Sequence, residues 1–338
     1  MSRRSEAVPC FPRQERLTAA LTDQMAAVGK ARVGRPVASP KGFPSSLVVL
    51  TAGNRNGGAL PMVDAVILAG GAIPDSEADF RETVGVDCKS LIPLNGRIMV
   101  SHVAGALKAA EGVNRVAVVG APELKGHPDL AAADLVIEEG EGRSENLFLG
   151  LDAFPDAERV LMVTSDMPMA TAEMYDDLLS NLGEDVDLGY TLVRHETVLA
   201  KYADRPAPPP DPQYGQLPSW VTVTLRDGRF TGTACLLFKR EAIEKCRPLV
   251  KSVFDDRNMK NVIATLKPIL GLCFLVRVGL ALKYPALGWL VAVADLERKL
   301  GRGLGLTCKA HISPHAELAF DVDHATDVPI AERVLRGK

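Results

Sequence analysis

Asp64-Ala65-Val66-Ile67-Leu68-Ala69-Gly70-Gly71 is the stretch on which the fold turns. Its apolar run is too short for a helix, is rich in residues that suit a sheet, and stops at two glycines, which reads as a buried strand entering a turn. Short apolar runs and helical patterns alternate after it. Expected strands are Arg115–Val119, Asp134–Ile137, Arg159–Thr164 and Asp187–Arg194, with helices over Val100–Glu111, Ser144–Phe154 and Thr171–Leu182. Such alternation signals βαβ units and a largely parallel sheet.

The pattern changes at residues 203–218, where Pro-Ala-Pro-Pro-Pro-Asp-Pro cannot supply sheet donors and must form a surface loop. Beyond it, Trp220–Leu225 and Thr233–Phe238, joined through Arg226-Asp227-Gly228, read as a hairpin added to the sheet. Helices are expected to fill 240–300. A last strand pair, Cys308–Ile312 and Ala319–Val322, then precedes a terminal helix over Thr326–Leu335. The expected unit is one domain over 62–338, with its core in 63–240 and 307–335.

Residues 1–61 differ in charge, holding 9 of the 39 Lys+Arg and 3 of the 42 Asp+Glu, which leaves 30 against 39 in the remainder. With no apolar core after Arg3-Arg4, this leader reads as a disordered extension and not as a signal peptide. Met62 stands directly before the first strand, and a start there would make the leader dispensable. The pI near 6.1 gives no sign of nucleic-acid binding. Six cysteines (Cys10, Cys88, Cys235, Cys246, Cys273, Cys308) lack paired spacing, which argues against disulfides and zinc and fits the cytoplasm. The apolar stretch 266–294 is broken by Lys267, Pro268, Arg277, Lys283 and Pro285, so it falls short of the roughly 20 residues a spanning helix needs. Residues 262–300 could instead form a partly buried helix pair, a subunit contact or a peripheral membrane contact.

Four places carry chemistry. The glycines Gly70 and Gly71 let backbone N–H groups approach a phosphate, although an ordinary βα turn explains two glycines as well. Lys89, where the following loop returns to the sheet, suits a triphosphate as a point charge, and a solvated surface lysine is the plainer alternative. Asp166, in Thr164-Ser165-Asp166-Met167-Pro168, stands at the carboxyl end of a buried strand, where α/β proteins bind ligands and where magnesium takes carboxylates together with phosphates. Capping of the next helix is its alternative role, but Thr171 is better placed for that. Asp321 and Asp323 point the same way if Ala319–Val322 continues as a strand of period two. Thr326 then suits the cap of the last helix, and Asp327 its first turn. Among six histidines, His195 and His324 fall near these motifs, without ligand spacing.

Together these residues resemble the nucleotidyltransferase superfamily of MobA-like NTP transferases, which includes molybdenum-cofactor and sugar-phosphate nucleotidyltransferases and the methylerythritol-phosphate cytidylyltransferase. The resemblance rests on Leu68-Ala69-Gly70-Gly71, Lys89, the run Leu91-Ile92-Pro93-Leu94-Asn95-Gly96-Arg97-Ile98-Met99, the block from Ser144 to Leu151, Asp166-Met167-Pro168 and Asp321-Val322-Asp323. It covers about 63–240 and 307–335. It implies a Rossmann-like, nucleotide-diphospho-sugar-transferase (GT-A-like) three-layer αβα sandwich with a mixed, mostly parallel sheet and an added helical segment. It also implies Mg2+ on Asp166 and Asp323, a nucleoside triphosphate held by Leu68, Ala69, Gly70, Gly71, Lys89, Ser144 and Asn146, and a phosphorylated acceptor joined with release of pyrophosphate. Arg229–Ala234 resembles the strand entry that lines the family's acceptor pocket. The chain departs from the family between Gly71 and Lys89, where 17 residues replace a compact loop; Arg81 is the substitute for that loop's arginine.

Two other functions share parts of this reading. A glycosyltransferase of related fold would need Asp-x-Asp after the fourth strand, where Asp166-Met167-Pro168 stands instead. A catalytically silent nucleotide-binding protein at a membrane surface would have no use for Lys89, Asp166 and Asp323.

Overall fold

The computed structural model describes residues 62–74, 77–205, 222–255 and 259–337. The leader 1–61 and most of the Pro-rich loop lie outside them. The first strand, β1 (Val63–Ala69), is almost wholly buried, as expected of a strand covered on both faces. Its one charge, Asp64, sits at the amino end and is met by Arg115 Nε at 2.9 Å and Arg115 Nη2 at 2.6 Å.

From β1 the chain makes a long excursion carrying a short helix, α1 (Ala78–Val84), then a two-strand ribbon, β2 (Pro93–Leu94) and β3 (Arg97–Ile98). Next come α2 (Met99–Ala109), β4 (Val113–Gly120), β5 (Leu135–Glu138), α3 (Arg143–Asp152), β6 (Arg159–Thr164), α4 (Ala172–Leu182) and β7 (Leu188–Arg194). A helix unforeseen in the sequence, α5 (His195–Lys201), follows β7 directly. The remainder is β8 (Thr222–Leu225), β9 (Gly228–Lys239), α6 (Arg240–Lys245), α7 (Arg247–Asp255), α8 (Met259–Leu270), α9 (Leu272–Lys283), α10 (Val293–Leu304), β10 (Cys308–Ser313) and α11 (Val328–Arg336).

The strands order as β10-β7-β9-β6-β1-β4-β5, with β8 paired to β9. All neighbours are parallel except at β9, which runs against β6, β7 and β8. The fold is therefore the expected α/β arrangement with a mixed, mostly parallel sheet. Apolar clusters lie around α2, α4 and α11 and around α3, β4 and β6, while a third links Phe230 of β9 to Leu270, Phe274 and Val291 of the helical segment.

Three sequence readings need correction. β9 is one strand of 12 residues beginning at Gly228, not at Thr233; a register shift opposite Tyr190–Leu192 absorbs its irregular middle. Ala319–Val322 is not a strand: a 3-10 turn spans Ala316–Ala319, and the chain then crosses the end of β6 with Val322 N–H donating to the Asp166 carbonyl at 2.9 Å. Phe320 and Val322 are buried between the more exposed Asp321 and Asp323, so the alternation that mimicked a strand survives without a ladder. Finally, α11 starts at Val328 with Asp327 at its N-cap, and Thr326 is exposed.

Candidate active site

The carboxyl ends of β1 and β6 lie side by side, because Ser165 N–H continues their ladder to the Leu68 carbonyl at 3.1 Å. That bond sets Asp166 beside the Leu68-Ala69-Gly70-Gly71 turn. The Val322–Asp166 bond then brings Asp321 and Asp323 to the same edge.

The 17-residue excursion returns Lys89 to this edge because its neck is closed. Ala72 bridges Cys88, and Ile73 N–H donates to the Asp87 carbonyl at 2.7 Å. The half-buried Lys89 donates through Nζ to Asp323 Oδ1 at 3.0 Å, with Glu77 Oε2 at 3.9 Å and the Phe80 ring at 5.9 Å. Arg81 pairs with Asp87 at 3.9 Å within the excursion. Lys89, Asp166 and Asp323, separated by as many as 234 residues, therefore converge.

Their electrostatics are those of crowded acids around one base. Burial, followed by the charge of Asp323, raises the Asp166 carboxyl above its ordinary range, while Thr164 Oγ1 donates to it and opposes the rise. Burial and the charges of Asp166 and Asp323 lift Asp321 well above that range, and Asp321 Oδ1 is a buried acceptor with no hydrogen bond. Burial works against the Lys89 ammonium, but Asp323, Glu77 and Asp166 outweigh it and raise its pKa. An excess of carboxylate at one edge disfavours folding unless a cation joins it.

Among the described residues no group of three His, Cys, Asp or Glu is spaced to hold a metal ion by itself. Magnesium makes no such demand, since one or two carboxylates with phosphate and water oxygens complete its shell. Asp166 and Asp323, with the unsatisfied Asp321 oxygen behind them, suit that hard cation.

Asp327 fixes the segment that carries Asp323. It is fully buried, accepts Asp323 N–H at 3.1 Å and His324 N–H at 3.0 Å, and receives Arg205 Nε and Nη2 at 2.7 Å each. This corrects its reading as a dipole partner in the last helix. Arg205 also donates to the Asp321 carbonyl at 3.2 Å and lies 4.4 Å from the Phe320 ring centre.

On the other side of the turn, Gly71, at φ +98°, donates N–H to Glu139 Oε2 at 2.8 Å. A Cβ on Gly70 would fall 1.9 Å from that oxygen and 2.9 Å from Asn146 Nδ2, so the glycine permits their close approach. Asn146 Oδ1 accepts Gly140 N–H at 2.7 Å, which orders the chain between β5 and α3. The helix α3 begins at Arg143 after Gly142, one residue before the expected start, and Ser144 in its first turn donates its N–H and hydroxyl to Asp255 at the end of α7. Thr171 precedes α4 without a side-chain capping bond. His195 is buried against Thr231 at 3.4 Å, and its pKa is lowered by burial and by nearby Arg229. The five described cysteines are free thiols.

Sequence reasoning missed Glu139, Glu77 and the Asp327–Arg205 pair. Glu139 immediately follows β5, so the rule that singled out Asp166 at the end of its strand could have found it.

A family model, the MobA-like NTP transferase domain, matches residues 65–269, which is more than half of the chain. The chain belongs to this family. A solved structure titled as a hypothetical transferase from Thermus thermophilus is similar at 29% identity and TM-score 0.61, covering 79% of this chain and 99% of that one. A 4-diphosphocytidyl-2C-methyl-D-erythritol synthase from Anaerococcus prevotii reaches 14% identity and TM-score 0.46, covering 82% and 96%. A nucleotidyl transferase from Methanothermobacter gives 14% and 0.46, covering 82% and 99%. No curated protein matches the sequence.

Proposed function

We propose that this NTP transferase domain joins a nucleoside triphosphate to a phosphorylated small-molecule acceptor and releases pyrophosphate. The observation that carries the reading is the convergence of Lys89, Asp166 and Asp323 at the carboxyl edge of the sheet. Membership of the family supplies the reaction class.

An acceptor phosphate is already anionic near pH 7, so no strong general base is required. One of its oxygens attacks the α-phosphorus in line and forms the new P–O bond, while the bond to the bridging oxygen breaks and its electron pair leaves with pyrophosphate. The task left to the protein is to align two anions and offset their repulsion. Lys89 offers a mobile ammonium that can leave Asp323 for phosphate oxygens, and the turn at Gly70-Gly71 offers backbone N–H groups once Glu139 gives way. Ser144 and Asn146 act on the nucleotide through the placement of α3. Asp166 and Asp323 would hold Mg2+, which when bound neutralises charge on the phosphates.

The test is pyrophosphate release from each of the four common triphosphates with candidate acceptor phosphates, in the full chain and in Asp166→Ala. Release that falls by orders of magnitude in a variant with an unchanged melting profile is expected. Near-normal turnover in Asp166→Ala would defeat the site assignment. Release of a nucleoside diphosphate from a nucleotide sugar would point to glycosyl transfer instead.

A further inference from the structure

The helical segment is apolar on both sides. Phe274 and Ala281 of α9 face inward and are buried, and Phe274 packs in the cluster containing Phe230, Leu270 and Val291. Leu272 and Val276, one turn apart on the opposite side, are more than half exposed, and Leu282 nearly so. A helix with apolar residues all round is normally enclosed. The chain continues through Tyr284 into a 3-10 turn, Pro285–Leu290, which exposes Trp289 at 62%, and Ile263 of α8 is also exposed.

The turn is held rigidly. Arg226 Nε donates to the Trp289 carbonyl at 3.2 Å, and Gly288 lies so close to β8 that a Cβ would meet the Thr224 carbonyl oxygen at 2.7 Å. An exposed tryptophan on a pinned backbone is a presented group, not a frayed one.

Charge identifies what covers this face. Residues 257–294 contain Arg257, Lys260, Lys267, Arg277 and Lys283 and no Asp or Glu. A second copy meeting the same patch about a two-fold axis would oppose cations to cations. The chain's own leader has the same sign, with 9 Lys+Arg against 3 Asp+Glu in 1–61. An anionic bilayer meets both needs, taking apolar and aromatic side chains into its interface and attracting a segment whose charges are all positive. No described helix is long and apolar enough to cross a membrane, so the contact is with its surface.

We propose that α8, α9 and the 285–290 turn form a docking face for an anionic lipid surface. The face also has a defined relation to the catalytic edge. Along β9, β6 pairs with Leu236–Lys239 and β8 with Gly228–Thr231, so β8 stands where β6 has ended, at the sheet end that carries Asp166. The 285–290 turn packs on β8 and lies at that same end. The proposal is independent of the identity of the acceptor and of whether transfer occurs.

The test is sedimentation of the full chain with phosphatidylcholine vesicles, with and without phosphatidylglycerol, at low and high salt. Binding only to the anionic vesicles, weakened by salt, is expected. A Val276→Glu/Trp289→Glu double variant alters exposed positions, keeps the leader, and should bind at least about tenfold more weakly with an unchanged melting profile. The proposal is overturned by equal binding to neutral vesicles, by undiminished binding of the variant, or by a dimer in light scattering that the variant converts to monomer.

Discussion

Replacing Asp327 with alanine takes a carboxylate away from a guanidinium that has almost no access to water. The Arg205 side chain is 4% exposed and that of Asp327 0%, and the two bonds between them measure 2.7 Å. Breaking such a pair from one side takes both charge-assisted bonds of Asp327 from a buried guanidinium, which costs about 3–5 kcal/mol. Solvent screening does not discount this figure, as it would for a surface pair. The N–H groups of Asp323 and His324 also lose their acceptor, but both residues are partly exposed, so water offsets most of that loss. Stability is typically about 5–15 kcal/mol, so the variant should still fold. With a slope near the upper end of about 1–3 kcal/mol/M in urea, the unfolding midpoint should fall by about 1–2 M. Asp327→Asn keeps the shape and an acceptor but not the charge, and most of the loss should remain. Turnover should fall in both variants even well below the unfolding transition, because Asp323 is placed by its backbone. A midpoint within about 0.3 M of the parent would refute the argument that this pair holds the segment.

Two further outcomes follow from the same edge and its support. The Asp321 carboxyl is raised, so the native state keeps its proton to higher pH than the unfolded chain, whose value is about 3.9. Stability is therefore full below that pH and is lost as pH rises through the native value. Without divalent cation, Asp321→Asn should be the more stable protein at pH 7, with the difference shrinking as pH falls toward about 4; equal melting temperatures at pH 7 would contradict the crowding of acids. Gly150→Ala places a Cβ 2.3 Å from Val66 Cγ1, between α3 and the central strand, and should cost about 1–3 kcal/mol in urea titration; an unchanged midpoint would mean that this contact yields freely.

The parts of the fold that were legible in the sequence are those fixed by local pattern. Val63–Ala69 reads as a buried strand because nearly every residue is apolar, and Asp166 stands out because it ends another such run. Lys89 stands out in the sequence as the first lysine after the glycines, but its return to the sheet edge depends on a bridge between Ala72 and Cys88 that leaves no composition signal. Ala319–Val322 reads as a strand because apolar and acidic residues alternate there, whereas its backbone makes a single bond to the end of β6. Asp327 was assigned a local role because its counter-ion, Arg205, lies 122 residues earlier. Pairings over such distances are set by topology, which periodicity does not encode.

The closed neck at Ala72 and Cys88 turns the excursion from Ile73 to Asp87 into a side branch that meets Lys89 again only through Glu77 and Phe80 among the described contacts. Backbone gained or lost at the exposed Gly85, between the helix and the neck, leaves both the neck and the contacts of Glu77 and Phe80 with Lys89 in place. That makes Gly85 a natural site for an inserted reporter tag, whereas a change at Glu77 or Phe80 reaches the sheet edge through Lys89.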